Sequence, residues 1–261
     1  MSLSDSRLAN HADATLHCHG LRKSFDGTHA LADVSLEFPY SGIVAIIGPN
    51  GAGKTTLLNV VTGFLRPKSG RVMLGERELT HQPPHRIAQL GVVRTFQNLR
   101  LITQETVLAN VLLARPNQKG ERLLPALFRF GVAAEEAKNR EEALRLLRFV
   151  GLNEKASELA GELSYGQQKL LSVACCLATE ARILLLDEPV AGVQPEMVIQ
   201  ILDLLRELRE QGRLVVFIEH DFTAVRQIAD AVIAMDEGKI IAYGKPADVL
   251  ERAEIMEAYI G

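Results

Sequence analysis

The stretch that decides the fold reads Gly48-Pro49-Asn50-Gly51-Ala52-Gly53-Lys54-Thr55, which fits the phosphate-loop pattern. An apolar strand pattern precedes it at residues 42–47, and a helical pattern follows it at residues 55–62. The motif requires this order of strand, loop and helix. Its glycines let the backbone turn so that successive N–H groups point at phosphate oxygens, and the helix presents its positive end to the same anion. The alternative is a glycine-rich turn without a ligand.

The loop residues have distinct expected roles. Lys54 should reach the outer phosphates, and Thr55 should place its hydroxyl on magnesium, a hard cation that prefers oxygen ligands. We expect the whole loop and the threonine after it to contact a nucleotide: Gly48, Pro49, Asn50, Gly51, Ala52, Gly53, Lys54, Thr55 and Thr56.

A second segment, Ile183-Leu184-Leu185-Leu186-Asp187-Glu188, is an apolar run that ends in two carboxylates. An apolar run without alternation is typical of a central parallel strand covered on both faces. Asp187 is the candidate for holding magnesium, and Glu188 for deprotonating the water that attacks the terminal phosphate. A surface turn before Pro189 is the alternative explanation of the two acids. His220 ends the next predicted strand and should lie near the same phosphate.

Composition narrows the function classes. The chain has 261 residues, enough for one large domain or a domain with a subdomain, and a net charge of −3. This charge argues against broad electrostatic binding to nucleic acid and makes a nucleotide the better partner. No apolar run approaches the roughly twenty residues that cross a bilayer, and the N-terminus lacks the features of a signal peptide, so we expect a cytoplasmic protein.

The cysteines and histidines near the N-terminus do not predict a metal site. Cys18 and the pair Cys175-Cys176 form neither a disulfide framework nor a zinc spacing, and we expect them to be core residues. His17 and His19 flank Cys18 on a predicted strand, where alternating side chains point to opposite faces. This geometry argues against a three-ligand metal site in this segment, and a metal site is kept only as the alternative.

The predicted fold class is α/β with a mainly parallel sheet, because apolar strands and amphipathic helices alternate along much of the chain. Residues 1–13 are predicted to be a flexible tail. Short alternating segments between residues 15 and 38 predict an N-terminal antiparallel β part with a turn at Asp26-Gly27.

Residues 98–163 lose the strand signals and gain helical ones. They predict an inserted helical subdomain that interrupts a nucleotide-binding core made of residues 14–97 and 164–261. One predicted helix buries a face made of Ala143, Leu146, Leu147 and Val150. Glu141 and Arg145 on the same helix are spaced for an ion pair at i, i+4.

The run Leu163-Ser164-Tyr165-Gly166-Gln167-Gln168 resembles the signature of ABC-type ATPases. Gln97, in Arg94-Thr95-Phe96-Gln97, is similar to the glutamine loop of that family. His220 matches its histidine switch, and Phe25 matches the aromatic residue that stacks on adenine. The resemblance covers about residues 15 to 261 and implies a phosphate-loop NTPase of the ABC type.

The resemblance also implies the cofactors ATP and Mg²⁺. Thr55, Gln97 and Asp187 are the metal ligands that it implies, and Asp187 also contacts the nucleotide. The catalytic residues that it implies are Glu188, His220 and Gln97.

Family resemblance implies that two subunits close head to tail around two ATP molecules. Ser164, Tyr165, Gly166 and Gln167 of one subunit would then face the nucleotide bound by the other. Two residues depart from the family pattern: Tyr165 replaces the usual glycine after the signature serine, and Gln194 replaces the usual aspartate after the catalytic glutamate.

The combination of segments 163–168, 94–101 and 257–261 looks most like ATPases of branched-chain amino acid importers. The expected partners are membrane permease subunits, a second ABC ATPase subunit that is identical or only similar, and indirectly a secreted or periplasmic solute-binding protein. The chain would lie peripherally on the inner face of the cell membrane and bind no nucleic acid. Related urea or amide importers, soluble ABC ATPases of DNA repair or translation, and a regulatory module without turnover are the alternatives.

The helical insertion should carry the surface that receives a short helix of the permease. Leu99, Leu101, Val107 and Val111 are the candidate floor of that surface. The alternative is that these residues pack the core of the insertion itself.

Overall fold

A computed structural model describes residues 15–95, 101–116 and 132–260. The strands are β1 Leu16–Phe25, β2 Thr28–Glu37, β3 Gly42–Ile47, β4 Ser69–Leu74, β5 Arg77–Glu78, β6 Val92–Arg94, β7 Ile183–Asp187, β8 Leu214–Ile218, β9 Ala231–Asp236 and β10 Lys239–Gly244. The helices are α1 Lys54–Val61, α2 Pro84–Gln89, α3 Val107–Leu113, α4 Val132–Phe149, α5 Tyr165–Ala178, α6 Pro195–Glu210, α7 Phe222–Ile228, α8 Pro246–Leu250 and α9 Ala253–Ile260, with 3-10 helices at Asn153–Lys155 and Ala160–Glu162. Within the described ranges, no helix has the length and hydrophobicity needed to span a membrane.

The larger sheet confirms the predicted parallel core. Its strand order is β10-β9-β3-β8-β7-β6, with parallel pairing from β9 to β6 and antiparallel pairing of β10 with β9. β8 lies between β3 and β7, in a register that pairs Ile218 with both Ile46 and Asp187. The carboxyl ends of these three strands therefore meet at one edge of the sheet, which is where open α/β sheets bind ligands.

The smaller sheet, with the order β2-β1-β4-β5, is antiparallel, as predicted for the N-terminal part. β1 and β2 form a hairpin that turns at Asp26-Gly27. Helix α1 packs between the two sheets, because Leu57 is buried in one cluster with Leu31 of β2 and Ile46 of β3. The helix that follows the phosphate loop is thus held from both sides.

Helices α3, α4, α5 and α6 cover the other face of the larger sheet, in a second cluster that includes Ala45 and Leu184. The predicted face of α4 is buried, as shown by Ala143, Leu146, Leu147 and Val150. The predicted ion pair is wrong: Arg145 binds Glu142 with Nη2 2.6 Å from Oε1, one turn back at i, i+3, and not Glu141. Helix α5, which begins just after the predicted insertion, contacts both α3 and α4 within it. The boundaries of the helical insertion stay a prediction.

The predicted floor of a permease-binding surface is wrong for Val107 and Val111. Both side chains are fully buried in the cluster that α3 shares with its neighbouring helices, and Leu101 packs against the same cluster. Leu99 lies outside the described residues. These valines pack the helical core and are not accessible to a partner.

Cys18 and Cys176 are core residues, as predicted, whereas Cys175 is half-buried at the edge of the core. Burial raises the pKa of the Cys18 and Cys175 thiols to about 12 and that of Cys176 further. His17 and His19 stack with ring centroids 5.9 Å apart. Across the part of the chain that the structure describes, no cluster of three or more His, Cys, Asp or Glu residues is arranged for a metal ion.

Candidate active site

The phosphate loop runs from the end of β3 into α1 and lies close against the backbone of β2. Gly53 has a φ of 96°, and a Cβ at this position would lie 2.3 Å from the carbonyl oxygen of Ala30. Glycine is required here, because a side chain would push β2 away from the loop. The Gly238 N–H donates to Ala52 O at 3.1 Å and ties the loop to the turn between β9 and β10.

Lys54 lies inside this loop and is 6% exposed. Its Nζ donates to Gly48 O at 2.6 Å and to Pro49 O at 2.8 Å. Burial lowers the pKa of the amine, while the charges of Glu188 and Asp187 act in the opposite direction. A positive group therefore lies between the loop backbone and the two carboxylates that sequence analysis had placed at the same site.

Thr55 and Thr56 occupy the first turn of α1, where Thr55 is exposed and Thr56 half-buried. The N-cap of α1 is Gly53, which supplies no side chain to the first N–H groups of the helix. Since these N–H groups have no intrahelical partner, the end of α1 suits an anion.

Asp187 ends β7 and is held by residues at the end of the neighbouring strand β6. The Arg94 Nη2 donates to Asp187 Oδ2 at 2.6 Å, and the two side chains are 2% and 3% exposed. The Asp187 N–H donates to Thr95 Oγ1 at 3.2 Å. Arg94 Nη1 also donates to Asn59 Oδ1 on α1 at 2.6 Å, so one guanidinium links the carboxylate to the helix of the phosphate loop. Arg94 is a site residue that the sequence motifs did not predict.

Glu188 and His220 meet at the same edge. Glu188 has a positive φ of 49°, and its N–H donates to Ile218 O at 3.0 Å, beyond the last pair of the β7–β8 ladder. Its Oε1 lies 3.4 Å from His220 Nε2. The two side chains are 23% and 36% exposed, so the pair faces outward from the carboxyl ends of β7 and β8.

The signature residues form the N-terminus of α5. Ser164 Oγ accepts from the Gln167 N–H at 3.4 Å, and Gln167 Oε1 accepts from the Ser164 N–H at 3.0 Å, which is a capping box. Ser164 and Tyr165 are exposed, whereas Gly166 is buried against α6. A Cβ on Gly166 would lie 2.6 Å from Met197 Cγ, so the close approach of α5 and α6 requires a glycine.

The remaining predicted site residues lie on the periphery or outside the described ranges. Phe25 ends β1 beside the hairpin turn and is 44% exposed, with the Lys23 amine 5.1 Å from its ring centroid. Gln194 occupies the N-cap of α6, followed by Pro195. Gln97 lies outside the described residues.

The fold and the site together define the class, which is a phosphate-loop ATPase of the ABC type. A family model described as ABC transporter matches residues 31–191. The chain therefore belongs to the ABC transporter family.

Its relatives match nearly the whole chain. The high-affinity branched-chain amino acid transport ATP-binding protein LivG of Salmonella typhimurium is 40% identical over 250 residues, which cover 94% of this chain and 97% of LivG. The corresponding protein BraF of Pseudomonas aeruginosa is 38% identical over 248 residues, with the same coverage.

Solved structures agree with this assignment. A nucleotide-free ATP-binding cassette from an ABC transporter superposes with a TM-score of 0.84 and 35% identity, over 95% of this chain and 99% of that one. The ADP conformation of an ATP-binding cassette gives a TM-score of 0.82 at the same identity and coverage. A dimeric bacterial ABC transporter cassette is 26% identical, with a TM-score of 0.75 over 88% of this chain and 98% of that one.

Proposed function

We propose that this chain is the ATP-hydrolysing subunit of an importer of branched-chain amino acids. The observation that carries the proposal is the meeting of Lys54, Asp187 and the Glu188–His220 pair at one sheet edge, in a chain whose relatives are named branched-chain amino acid transport ATP-binding proteins. The chain would lie on the cytoplasmic face of the membrane against permease subunits. A secreted or periplasmic binding protein would deliver the solute to that permease.

The chemistry of the donor set suits magnesium. Asp187 and Thr55 offer a carboxylate and a hydroxyl, and Gln97 would add an amide oxygen, all of the hard type that Mg²⁺ prefers beside retained waters. Arg94, 2.6 Å from Asp187 Oδ2, orients that carboxylate. When bound, the ion neutralises charge on the phosphate oxygens during transfer.

Glu188 is the proposed general base. Its carboxylate would accept the proton of the attacking water, while His220, 3.4 Å away, orients the carboxylate and the terminal phosphate. Lys54 and the N–H groups of α1 would hold the outer phosphates, so that the water and the phosphorus atom meet in a fixed geometry.

A second subunit is proposed to complete each site. The exposed Ser164 and Tyr165 stand at the N-terminus of α5, where helix N–H groups and the helix dipole attract negative charge. Head-to-tail pairing would bring this end to the terminal phosphate bound by the partner. The partner is a second copy of this chain or a similar, separately encoded ATPase.

The permease contact is proposed at an apolar groove between α1, α2, β6 and α5. The groove has a volume of about 310 Å³ and is lined by residues that include Phe64, His85, Val93 and Cys175. Such a groove suits the apolar face of a short amphipathic helix. Arg94 also lines it, and the same guanidinium binds Asp187, so one side chain connects the groove to the candidate magnesium ligand.

Phe64→Glu tests the groove. The ring is 40% exposed, and a carboxylate at this position would have to be buried unpaired beneath a docked helix, which costs several kcal/mol. We expect permease-dependent transport to fall by at least about tenfold, while the basal ATPase activity of the isolated subunit stays unchanged. Tyr243→Glu is the matched control, since Tyr243 is a similarly exposed aromatic residue on β10. Equal transport by Phe64→Glu and wild type would show that the permease does not bind in this groove.

Reconstitution tests the transport function itself. The chain is placed in proteoliposomes with its neighbouring permease and ATPase gene products, the binding protein and internal ATP, and uptake of radiolabelled solutes is measured. We expect leucine, isoleucine and valine to accumulate, and urea and short amides to be excluded. Accumulation of urea or an amide instead would reassign the solute. ATP hydrolysis without any permease association would favour a soluble ABC ATPase.

A further inference from the structure

A buried lysine lies beside the backbone of the proposed base. Lys169 lies on α5 and is 7% exposed. Its Nζ donates to Ala191 O at 2.7 Å and to Glu188 O. Both carbonyls belong to residues 188–194, between β7 and α6, which we call the catalytic loop. Lys169 therefore joins the signature helix to the backbone of the proposed base.

A buried carboxylate holds the same loop through its N–H groups. Glu219, 2% exposed, follows β8. Its Oε1 accepts from the Val190 N–H at 2.8 Å, and its Oε2 accepts from the His220 N–H at 3.2 Å. Burial raises the pKa of Glu219, and these two hydrogen bonds and the Lys169 charge oppose that shift. Lys169 thus binds two carbonyls of the catalytic loop. Glu219 binds one N–H of the same loop and the backbone N–H of His220.

Tyr165, which departs from the family pattern, lies against the Lys169 amine. The Lys169 Nζ lies 4.9 Å from the centroid of the Tyr165 ring, within the range of a cation–π contact. The same ring lies beside Gly192, where a Cβ would be 3.5 Å from Tyr165 Cε1. A glycine at position 165 would leave the amine more open to solvent. The contacts of Tyr165 within its own subunit therefore explain why a tyrosine suits this position.

The backbone of Glu188 explains why such an anchor is needed. A non-glycine residue with a φ of 49° lies in the left-handed region, which costs of order 1 kcal/mol or more and persists when surrounding contacts enforce it. The Glu188 carbonyl accepts from Lys169, and its N–H donates to Ile218 O at 3.0 Å. The backbone on both sides of the residue is therefore held, which fixes the direction in which its side chain leaves the loop.

We infer that Lys169 is a positioning residue for ATP hydrolysis, which holds the Glu188 carboxylate in place by anchoring the catalytic loop to the signature helix. The inference rests on the proposed role of Glu188 as the base. A lysine that served only to neutralise Glu219 would direct its hydrogen bonds to that carboxylate. Here Lys169 donates to backbone carbonyls around the base, and Glu219 accepts from backbone N–H groups of the same region.

Lys169→Met and Lys169→Arg test the inference. Methionine keeps the unbranched chain and removes the donors, so kcat for ATP hydrolysis should fall by about 10- to 100-fold, as expected for a displaced catalytic group. KM for ATP and ATP affinity should stay near wild type, because the phosphate loop is untouched. Lys169→Arg keeps charge and donors and should turn over faster than Lys169→Met.

A double variant separates positioning from general stability. In a Glu188→Gln background, Lys169→Met should cause little further loss of kcat, since a group that acts through Glu188 has nothing left to position. Thermal unfolding of each variant is measured in parallel. If Lys169→Met does not fold, Lys169→Gln replaces it, because glutamine is polar but too short to reach both carbonyls, and the same fall in kcat at unchanged ATP affinity is expected.

Several outcomes would overturn the inference without touching the proposed function. These are wild-type kcat in Lys169→Met, loss of ATP affinity in proportion to kcat, or independent losses that multiply in the double variant. Wild-type kcat in Lys169→Gln would do the same if Lys169→Met is unfolded. Turnover that survives Glu188→Gln alone would instead contradict the proposed base.

Discussion

Glu188→Gln is expected to lower kcat for ATP hydrolysis by about 10²- to 10⁴-fold, because an amide cannot accept the proton of the attacking water. Glutamine has nearly the same shape and can keep the left-handed backbone and the neighbouring His220 in place. ATP binding should therefore survive. ATP-dependent dimers should accumulate, because hydrolysis no longer opens them. Phosphate release gives kcat, and size-exclusion chromatography with ATP gives the dimer fraction.

Glu180→Gln is the matched control for this substitution. Glu180 also has a positive φ, of 63°, but it is exposed just beyond the C-terminus of α5. The same chemical change on the same kind of backbone should leave phosphate release unchanged. Wild-type-like turnover in Glu188→Gln would exclude Glu188 as the main base.

Lys54→Ala is expected to weaken ATP binding by about 10- to 100-fold, the factor that corresponds to a lost hydrogen bond to a charged group. The amine donates to the Gly48 and Pro49 carbonyl oxygens at 2.6 and 2.8 Å, inside the loop that is expected to surround the outer phosphates. Removing it takes away a phosphate contact and an anchor of the loop. Isothermal titration with ATP and magnesium measures the dissociation constant directly, without relying on turnover.

Lys155→Ala removes the same side chain at a distant surface position, where it pairs with Glu158 at 2.8 Å. Affinity for ATP should not change in this control. Unchanged affinity in Lys54→Ala itself would contradict the assigned phosphate grip. A loss confined to kcat would indicate that Lys54 stabilises the transition state of hydrolysis and not bound ATP.

The parts of the fold that follow from local pattern were predictable from the sequence. The apolar run at β3 with the phosphate loop after it, the run at β7 with Asp187 after it, and alternation in β1 and β2 each produced the expected element. Glu188 and His220 were predicted to share a site because parallel strands end at one edge. The 3.4 Å contact between them agrees with that expectation.

Arg94 was not identified because its role depends on strand order. It lies three residues before Gln97, the residue for which this segment was quoted, and its partner Asp187 is far along the chain. The pairing exists because β6 lies beside β7, with Arg94 opposite Leu185. The hydrophobic periodicity and the composition of a sequence do not indicate which parallel strands are neighbours in the sheet.

Side-chain direction explains the other features of the structure that the sequence did not predict. Lys169 and Glu219 are charged residues of types that are usually solvent-exposed, and their burial depends on the close approach of α5 to the catalytic loop. Val107 and Val111 were equally compatible with a surface floor and with a core until the packing of α3 placed them inside. Arg145 could reach acids at two spacings, and the helix geometry selected Glu142.

The capping box at the start of α5 bears on how two subunits could come together. A hydroxyl has one hydrogen to donate and two lone pairs, and Ser164 caps its helix by accepting from the Gln167 N–H. Capping and donation to a phosphate oxygen therefore use different parts of the same group. The helix can meet a neighbouring nucleotide without unwinding its first turn, so none of the association free energy is lost to re-forming a helix end.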